Sequence, residues 1–177
     1  NGAAVLLGSS QFGSTIDNVT IKNASVAGNR RVAAIAGYFA GTITNCTVES
    51  VDLSARFDYS ANSYDNGDKA GSIIAYANGA VTIENCSATT MFIEGYRDMG
   101  GIAGCLNSSC VVTNNSVEDI MFLVDSSCNY KGYTTYTQHN VGAIAGRGFT
   151  ADATNYVGKV IIYSDYGTIV NNAEDLN

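Results

Sequence analysis

The sequence predicts an all-β fold, a right-handed parallel β-helix of about five coils with three short strands each. Three observations lead there. A block of small and apolar residues recurs along the chain, each copy followed by a second block with an asparagine at one matching place. The blocks are five to seven residues long, rich in Val, Ile and Thr, and bounded by Gly, Asn, Ser or Asp, which marks strands and not helices. The chain has no proline, as suits interior strands that must donate hydrogen bonds to both neighbours.

The first block reads "AAVLLG" (3 to 8), "VAAIAG" (32 to 37), "AGSIIA" (70 to 75), "MGGIAG" (99 to 104) and "VGAIAG" (141 to 146). The second reads "STIDNVTI", "GTITNCTV", "AVTIENCSA", "VVTNNSV" and, later, "GTIVNNAED"; its matching asparagines are Asn18, Asn45, Asn85, Asn114 and Asn171. A third follows in four copies as "NASVAG", "SVDLSA", "TMFIEG" and "DIMFLVD". The base period is 27 to 29 residues, from the spacings Asn18 to Asn45 and Asn85 to Asn114. Longer gaps mark insertions at 56–69, 126–140 and 147–166.

Aligned copies define columns. Ile16, Ile43, Ile83 and Val112 correspond, as do Val19, Cys46, Cys86 and Asn115. Ile21, Val48, Ala88 and Val117 form a third column, Ala24, Val51, Met91 and Ile120 a fourth, and Val26, Leu53, Ile93 and Phe122 a fifth. Alternate residues of a strand share a face, so these columns are the expected core. One repeat cannot bury its own apolar face, and stacking coils about 4.8 Å apart makes the core continuous. Parallel crossovers are nearly always right-handed.

Bulk composition agrees with one folded domain over residues 1–177. Hydrophobic residues are 46% and charged residues 14%, too apolar for a disordered tail. The net charge of −7 argues against nucleic acid and anionic membrane as partners. No apolar run has the length of a membrane span, so direct membrane insertion is not expected. The chain opens on "NGAAVLLG" without a basic-then-apolar leader and reads as a fragment of a longer surface protein.

The motifs "VAAIAGYFAGTITNCTV", "MGGIAGCLNSSCVVTNNSV" and "VGAIAG" resemble the GLUG repeat, a Gly-Leu-x-Gly-type motif of bacterial surface and secreted proteins. Two copies depart from it: "SIIAY" lacks the second glycine and the first copy has "LLGSS". The resemblance, to a family that includes adhesin-like proteins and some immunoglobulin A peptidases, implies a β-solenoid in an extracellular or bacterial cell-surface protein; the reading of this chain is a non-enzymatic, adhesin-like module. The resemblance implies no catalytic residue.

"GYFAG" has no following lysine or helix, so it reads as tight packing and not as a phosphate loop. The matching asparagines suit bends, because Asn tolerates left-handed backbone; they are expected to stack as a ladder. Cys46 and Cys86 read as core fillers, while Cys105 and Cys110 bracket a turn that a disulfide would close. The acids Asp52, Asp58, Asp65 and Asp68 gather near one insertion. They read as solvated surface acids; calcium ligation by "DNGD" (65 to 68) and catalysis are the sharper alternatives. No cofactor and no metal are expected.

The insertions carry the functional expectation. "RFDYSANSYDNGDK" and "SSCNYKGYTTYTQHN" both follow the third block and emerge at one corner of the coil. Their tyrosines, Tyr59, Tyr64, Tyr130, Tyr133 and Tyr136, with Ser, Asn and Thr around them, are the candidate ligand-binding residues. The expected partners are a host protein or glycan and neighbouring domains of the same polypeptide. The alternative is a carbohydrate-active β-helix enzyme, a polysaccharide lyase or hydrolase.

Overall fold

A computed structural model describes residues 2–10, 13–56, 67–107, 109–125, 140–148, 154–164 and 170–171. Coil one holds β1 (Ala3–Ala4), β2 (Ser14–Asp17) and β3 (Thr20–Gly28). Coil two holds β4 (Arg30–Ala33), β5 (Ala36–Thr44) and β6 (Thr47–Ala55), and coil three β7 (Asp68–Gly71), β8 (Ile74–Glu84) and β9 (Ser87–Gly95). Coil four holds β10 (Arg97–Gly100), β11 (Ala103–Cys105), β12 (Val111–Thr113) and β13 (Ser116–Val124). Coil five holds β14 (Asn140–Gly142), β15 (Ala145–Arg147), β16 (Tyr156–Val157) and β17 (Val160–Ser164), and β18 (Val170–Asn171) starts a further turn.

Each strand pairs in parallel with its equivalent in the next coil. The first sheet runs β1-β4-β7-β10-β14-β18, the second β2-β5-β8-β11-β15 with β12 also on β8, and the third β3-β6-β9-β13-β16 with β17 also on β13. This is a parallel β-helix, and among the described residues there is no helix. The registers match the sequence columns: Ile16 pairs with Ile43, Ile43 with Ile83, and Ile83 with Val112. Val26, Leu53, Ile93 and Phe122 pair in the same way. Phe39, Phe122, Ile43, Leu53, Ile83 and Ile93 are completely buried, each worth about 1.5–3 kcal/mol of transfer from water.

The corner between the second and third sheets is the asparagine bend. Asn18, Asn45, Asn85 and Asn114 have φ of 56°, 54°, 55° and 55°, the left-handed region that Asn tolerates best. They recur at the same bend in four successive coils with their side chains exposed. A second amide contact between coils lies one residue later, where Asn115 Nδ2 donates to Asn155 Oδ1 of the next coil at 3.1 Å. Backbone requirements explain the split: a left-handed residue turns its side chain out of the coil, and the following residue points in.

The stretch 147–166, expected as an insertion, supplies β16 and β17 and so completes coil five. Asn171, aligned in sequence with the bend asparagines, pairs instead with Val141 of the first sheet. Thr154 takes the bend position of coil five, its Oγ1 accepting from the Asn114 amide at 3.0 Å.

The first and second sheets fold back on one another. The bend residues Ala34, Ile35, Ile73, Ile102 and Ile144 enter the core. Coil to coil they are tied by backbone bonds such as Ile73 N to Ile102 O (2.9 Å) and Ile102 N to Ile144 O (2.9 Å). Behind them the two backbones touch: a β-carbon on Gly104 would lie 2.8 Å from the Asp98 carbonyl oxygen, and one on Gly37 2.7 Å from that of Arg31. The glycines of the "IAG" motif are therefore explained by close approach of backbone to backbone.

Candidate functional site

Two columns of side chains meet at the mouth of this fold-back. The first sheet contributes Arg31, Lys69, Asp98 and Asn140, one from each of coils two to five, each immediately before a first-block repeat. Arg31, Lys69 and Asp98 have φ of 55°, 63° and 53°, a conformation that costs a non-glycine residue about 1–2 kcal/mol and that the stacked neighbours enforce. The second sheet contributes Tyr38, Tyr76, Cys105 and Arg147, each immediately after the repeat.

The columns interlock. Tyr38 and Tyr76 stack with centroids 5.5 Å apart and planes within 7°. The Arg31 guanidinium lies over both, 4.9 and 5.0 Å from the two centroids. Lys69 Nζ sits 5.7 Å from the Tyr76 ring and ion-pairs with Asp68, a completely buried carboxylate that Arg97 Nη2 also approaches at 3.2 Å. One coil on, Asp98 accepts from Asn140 Nδ2 at 2.8 Å and lies 3.4 Å from Arg147 Nη2. Arg147 also donates to Cys105 Sγ at 3.3 and 3.4 Å. Burial lowers the Arg147 pKa, but Asp98 and Cys105 outweigh it and hold the guanidinium above its ordinary value. Burial pushes the Cys105 thiol up against the opposing pull of Arg147, so it is not an activated nucleophile.

The next corner, from the third sheet back to the first, adjoins this seam. Glu94 is buried there, its Oε2 accepting from Ser54 Oγ at 2.7 Å and from Arg56 Nε at 2.8 Å. Both large insertions spring from this corner. One joins β6 to β7 and the other β13 to β14, while Tyr96 alone joins β9 to β10 between them. Their roots are stacked: Arg56 N donates to Gly28 O at 2.9 Å, Asp125 N to Gly95 O at 3.0 Å, and Tyr96 N to Gly67 O at 2.6 Å. Tyr59, Tyr64, Tyr130, Tyr133 and Tyr136 lie outside the described residues, as do Cys128 and His139.

A shallow groove of about 220 Å³ opens on the outer face of the third sheet, lined by Asp52, Thr90, Phe92, Asp119, Met121 and Lys159 among others. Lys159 pairs with Asp119 at 2.9 Å, and this contact raises the lysine pKa. Cys46, Cys86, Cys105 and Cys110 are all unbridged, so the turn between Cys105 and Cys110 closes without a disulfide. It closes through Asn107 instead, whose Oδ1 accepts from Ser109 N at 2.9 Å and whose Nδ2 donates to Gly79 O at 2.7 Å. Among the described residues no three His, Cys, Asp or Glu side chains group as a metal site. Also among them, no helix is long and apolar enough to cross a membrane.

The seam was missed by sequence reasoning, although the repeat alignment contains it. The residue before each first block (Arg31, Lys69, Asp98, Asn140) and the residue after it (Tyr38, Tyr76, Cys105, Arg147) are columns too. They vary in type, so only their position marks them. In comparisons with known proteins, no protein family, no curated protein and no solved structure matches this chain.

Proposed function

We propose that the chain is a non-enzymatic, adhesin-like β-solenoid module of a bacterial surface or secreted protein, presenting binding loops for a host protein or glycan. The observation that supports this reading is the stacking of the two insertion roots. Their roots lie at one corner of the solenoid, separated by the single junction residue Tyr96, where Asp68 pairs with Arg97 and Glu94 with Arg56. A rigid scaffold with long loops gathered on one side is a common arrangement for recognition. The likeness of the repeats to the GLUG motif supports the cell-surface setting.

The test is a glycan array together with a panel of immobilised host surface proteins. It compares the chain with a variant in which residues 126–139 are replaced by a Tyr96-like short junction. Binding that disappears in the variant, while its β-sheet circular dichroism and unfolding midpoint persist, is the expected result. Equal binding by both proteins, or binding by neither, would sink the reading.

A second reading, a carbohydrate-active enzyme, is favoured by the groove of the third sheet, where two carboxylates and a lysine line an open surface. It expects cleavage of an acidic polysaccharide that Asp119→Asn abolishes. A polysaccharide panel without new reducing ends or unsaturated products removes it.

A further inference from the structure

The chain carries nine Lys and Arg residues against sixteen Asp and Glu. Six of those nine cations border the first sheet: Arg30, Arg31, Arg56, Lys69, Arg97 and Arg147. The carboxylates facing them are Asp68, Glu94, Asp98 and Asp125. Among the described residues this side therefore carries six cations against four carboxylates, in a protein of net charge −7. A flank of one sign on a low-dielectric wall concentrates ligands of the opposite sign.

The cations are not equivalent. Asp68 engages Lys69 and Arg97, Glu94 engages Arg56, and Asp98 engages Arg147. Arg31 is held differently, with the Tyr38 and Tyr76 rings in the place a carboxylate would take. Its Nε is buried and makes no hydrogen bond. Stacking on aromatic faces fixes the plane of a guanidinium without using its in-plane donors. Such a planar fork matches the two oxygens of a carboxylate or sulfate. Arg31, Tyr38 and Tyr76 are all partly exposed, and the Arg147 side chain, two coils along the seam from Lys69 and Tyr76, is 48% exposed. A repeating anion laid along the seam meets Arg31 first and Arg147 further along.

We infer that the seam between the first and second sheets is a receptor for the carboxylate or sulfate groups of an acidic glycan, with Arg31 as its anchoring cation. This rests on the glycan-binding reading above and names the ligand class. The solenoid supplies the spacing: the partly exposed seam cations are Arg31 on coil two and Arg147 on coil five, three coil spacings or about 14 Å apart.

The experiment is titration calorimetry of the whole chain with four polymers. Polygalacturonate carries carboxylates, dextran sulfate carries sulfates, and methyl-esterified polygalacturonate and dextran are the neutral counterparts. Each is measured at two salt concentrations with wild type, Arg31→Gln, Arg31→Lys and the off-site control Lys22→Gln. The expected result is salt-sensitive binding of one or both charged polymers and none of the neutral ones. Arg31→Gln should weaken it about tenfold or more, and Arg31→Lys by several-fold, because an ammonium lacks the planar fork. Lys22→Gln should leave it unchanged. If carboxylate and sulfate polymers differ, the tighter one identifies the group. Equal binding of charged and neutral polymers overturns the inference while leaving glycan recognition standing. So does binding that both Arg31 variants retain at wild-type strength. Absence of charged-polymer binding overturns it as well, and loop-dependent capture on the array then decides the broader reading separately.

Discussion

Buried Asn115 and half-buried Asn155 form an amide chain that carries hydrogen bonds from one coil to the next. Asn115 Oδ1 accepts from the Cys86 amide at 2.8 Å and its Nδ2 donates to Ile83 O at 3.0 Å. Asn155 repeats the pattern one coil on, its Oδ1 accepting from Asn115 N at 3.0 Å and its Nδ2 donating to Val112 O at 2.8 Å. Earlier coils hold Val19, Cys46 and Cys86 at the same place, so the column passes from apolar group to thiol to amide. Asn115→Ala leaves the Cys86 N–H and the Ile83 carbonyl buried without that partner, at about 1–3 kcal/mol for each group left unmade. Asn114→Gly, at the exposed left-handed bend beside it, stays within about 0.5 kcal/mol. Urea unfolding midpoints of the two variants check the contrast.

Glycine at the fold-back is a steric requirement. A β-carbon at Gly104 would meet Ala75 O at 2.6 Å, Ala70 N at 2.8 Å and Asp98 O at 2.8 Å, all backbone atoms of stacked coils. Gly104→Ala is expected to destabilise by about 3 kcal/mol or more, or to abolish soluble protein. At Gly13 the φ is +80° but nothing lies within 4 Å, so Gly13→Ala costs only about 1–2 kcal/mol of backbone strain. Soluble yield and thermal midpoint distinguish the two.

Alkaline pH acts through the core thiols. Burial, opposed by the hydrogen bond from Cys46, pushes the Cys86 thiol from 9.0 up to about 12. Below pH 9 the thiol is protonated in both folded and unfolded chains and its contribution is complete. Between pH 9 and 12 the unfolded chain releases a proton that the folded chain retains, so stability falls with rising pH, by up to about 1.4 kcal/mol per pH unit. Cys86→Ser is expected to flatten this slope relative to wild type. Chemical denaturation at intervals from neutral to strongly alkaline pH measures it. Cys86 should also resist alkylation in the folded state, while the partly exposed Cys110 is modified.

At the acidic end, Asp17 clasps the first two coils. Its Oδ1 accepts from Thr44 Oγ1 at 2.7 Å and from Asn45 Nδ2 at 2.8 Å, and these bonds hold its pKa below 3.8. With the folded pKa depressed, the stabilisation is present above 3.8 and is lost as pH falls through the lower folded value. Asp17→Ala should therefore lower the thermal midpoint at neutral pH and converge with wild type in strong acid. A constant difference across that range would show that the clasp does not act through the carboxylate.

Much of the architecture was legible in the sequence because a solenoid is built from local, repeated contacts. Aligning "VAAIAG" with "MGGIAG" amounts to pairing Val32, Ala70 and Met99 in one sheet, and the registers are those of the alignment. The bend asparagines were recognisable for the same reason, since a left-handed position recurring every coil selects Asn. The misplacement of coil five has the opposite cause. Its strands at Tyr156–Val157 and Val160–Ser164 follow a long interruption and lack the Gly and Asn punctuation, so "GTIVNN" drew the alignment past them.

What the sequence by itself determined, then, is the set of core columns, the coil period and the corner from which the insertions spring, all consequences of strand periodicity and stacking. Only the tertiary structure decided that the first and second sheets close back to back, for this depends on backbone approach that no single repeat encodes. That closure brings Arg31 of one column over Tyr38 and Tyr76 of another and sets Asp98 against Arg147. Side chains of no common type became one charged and aromatic seam because the fold-back placed them at a common edge.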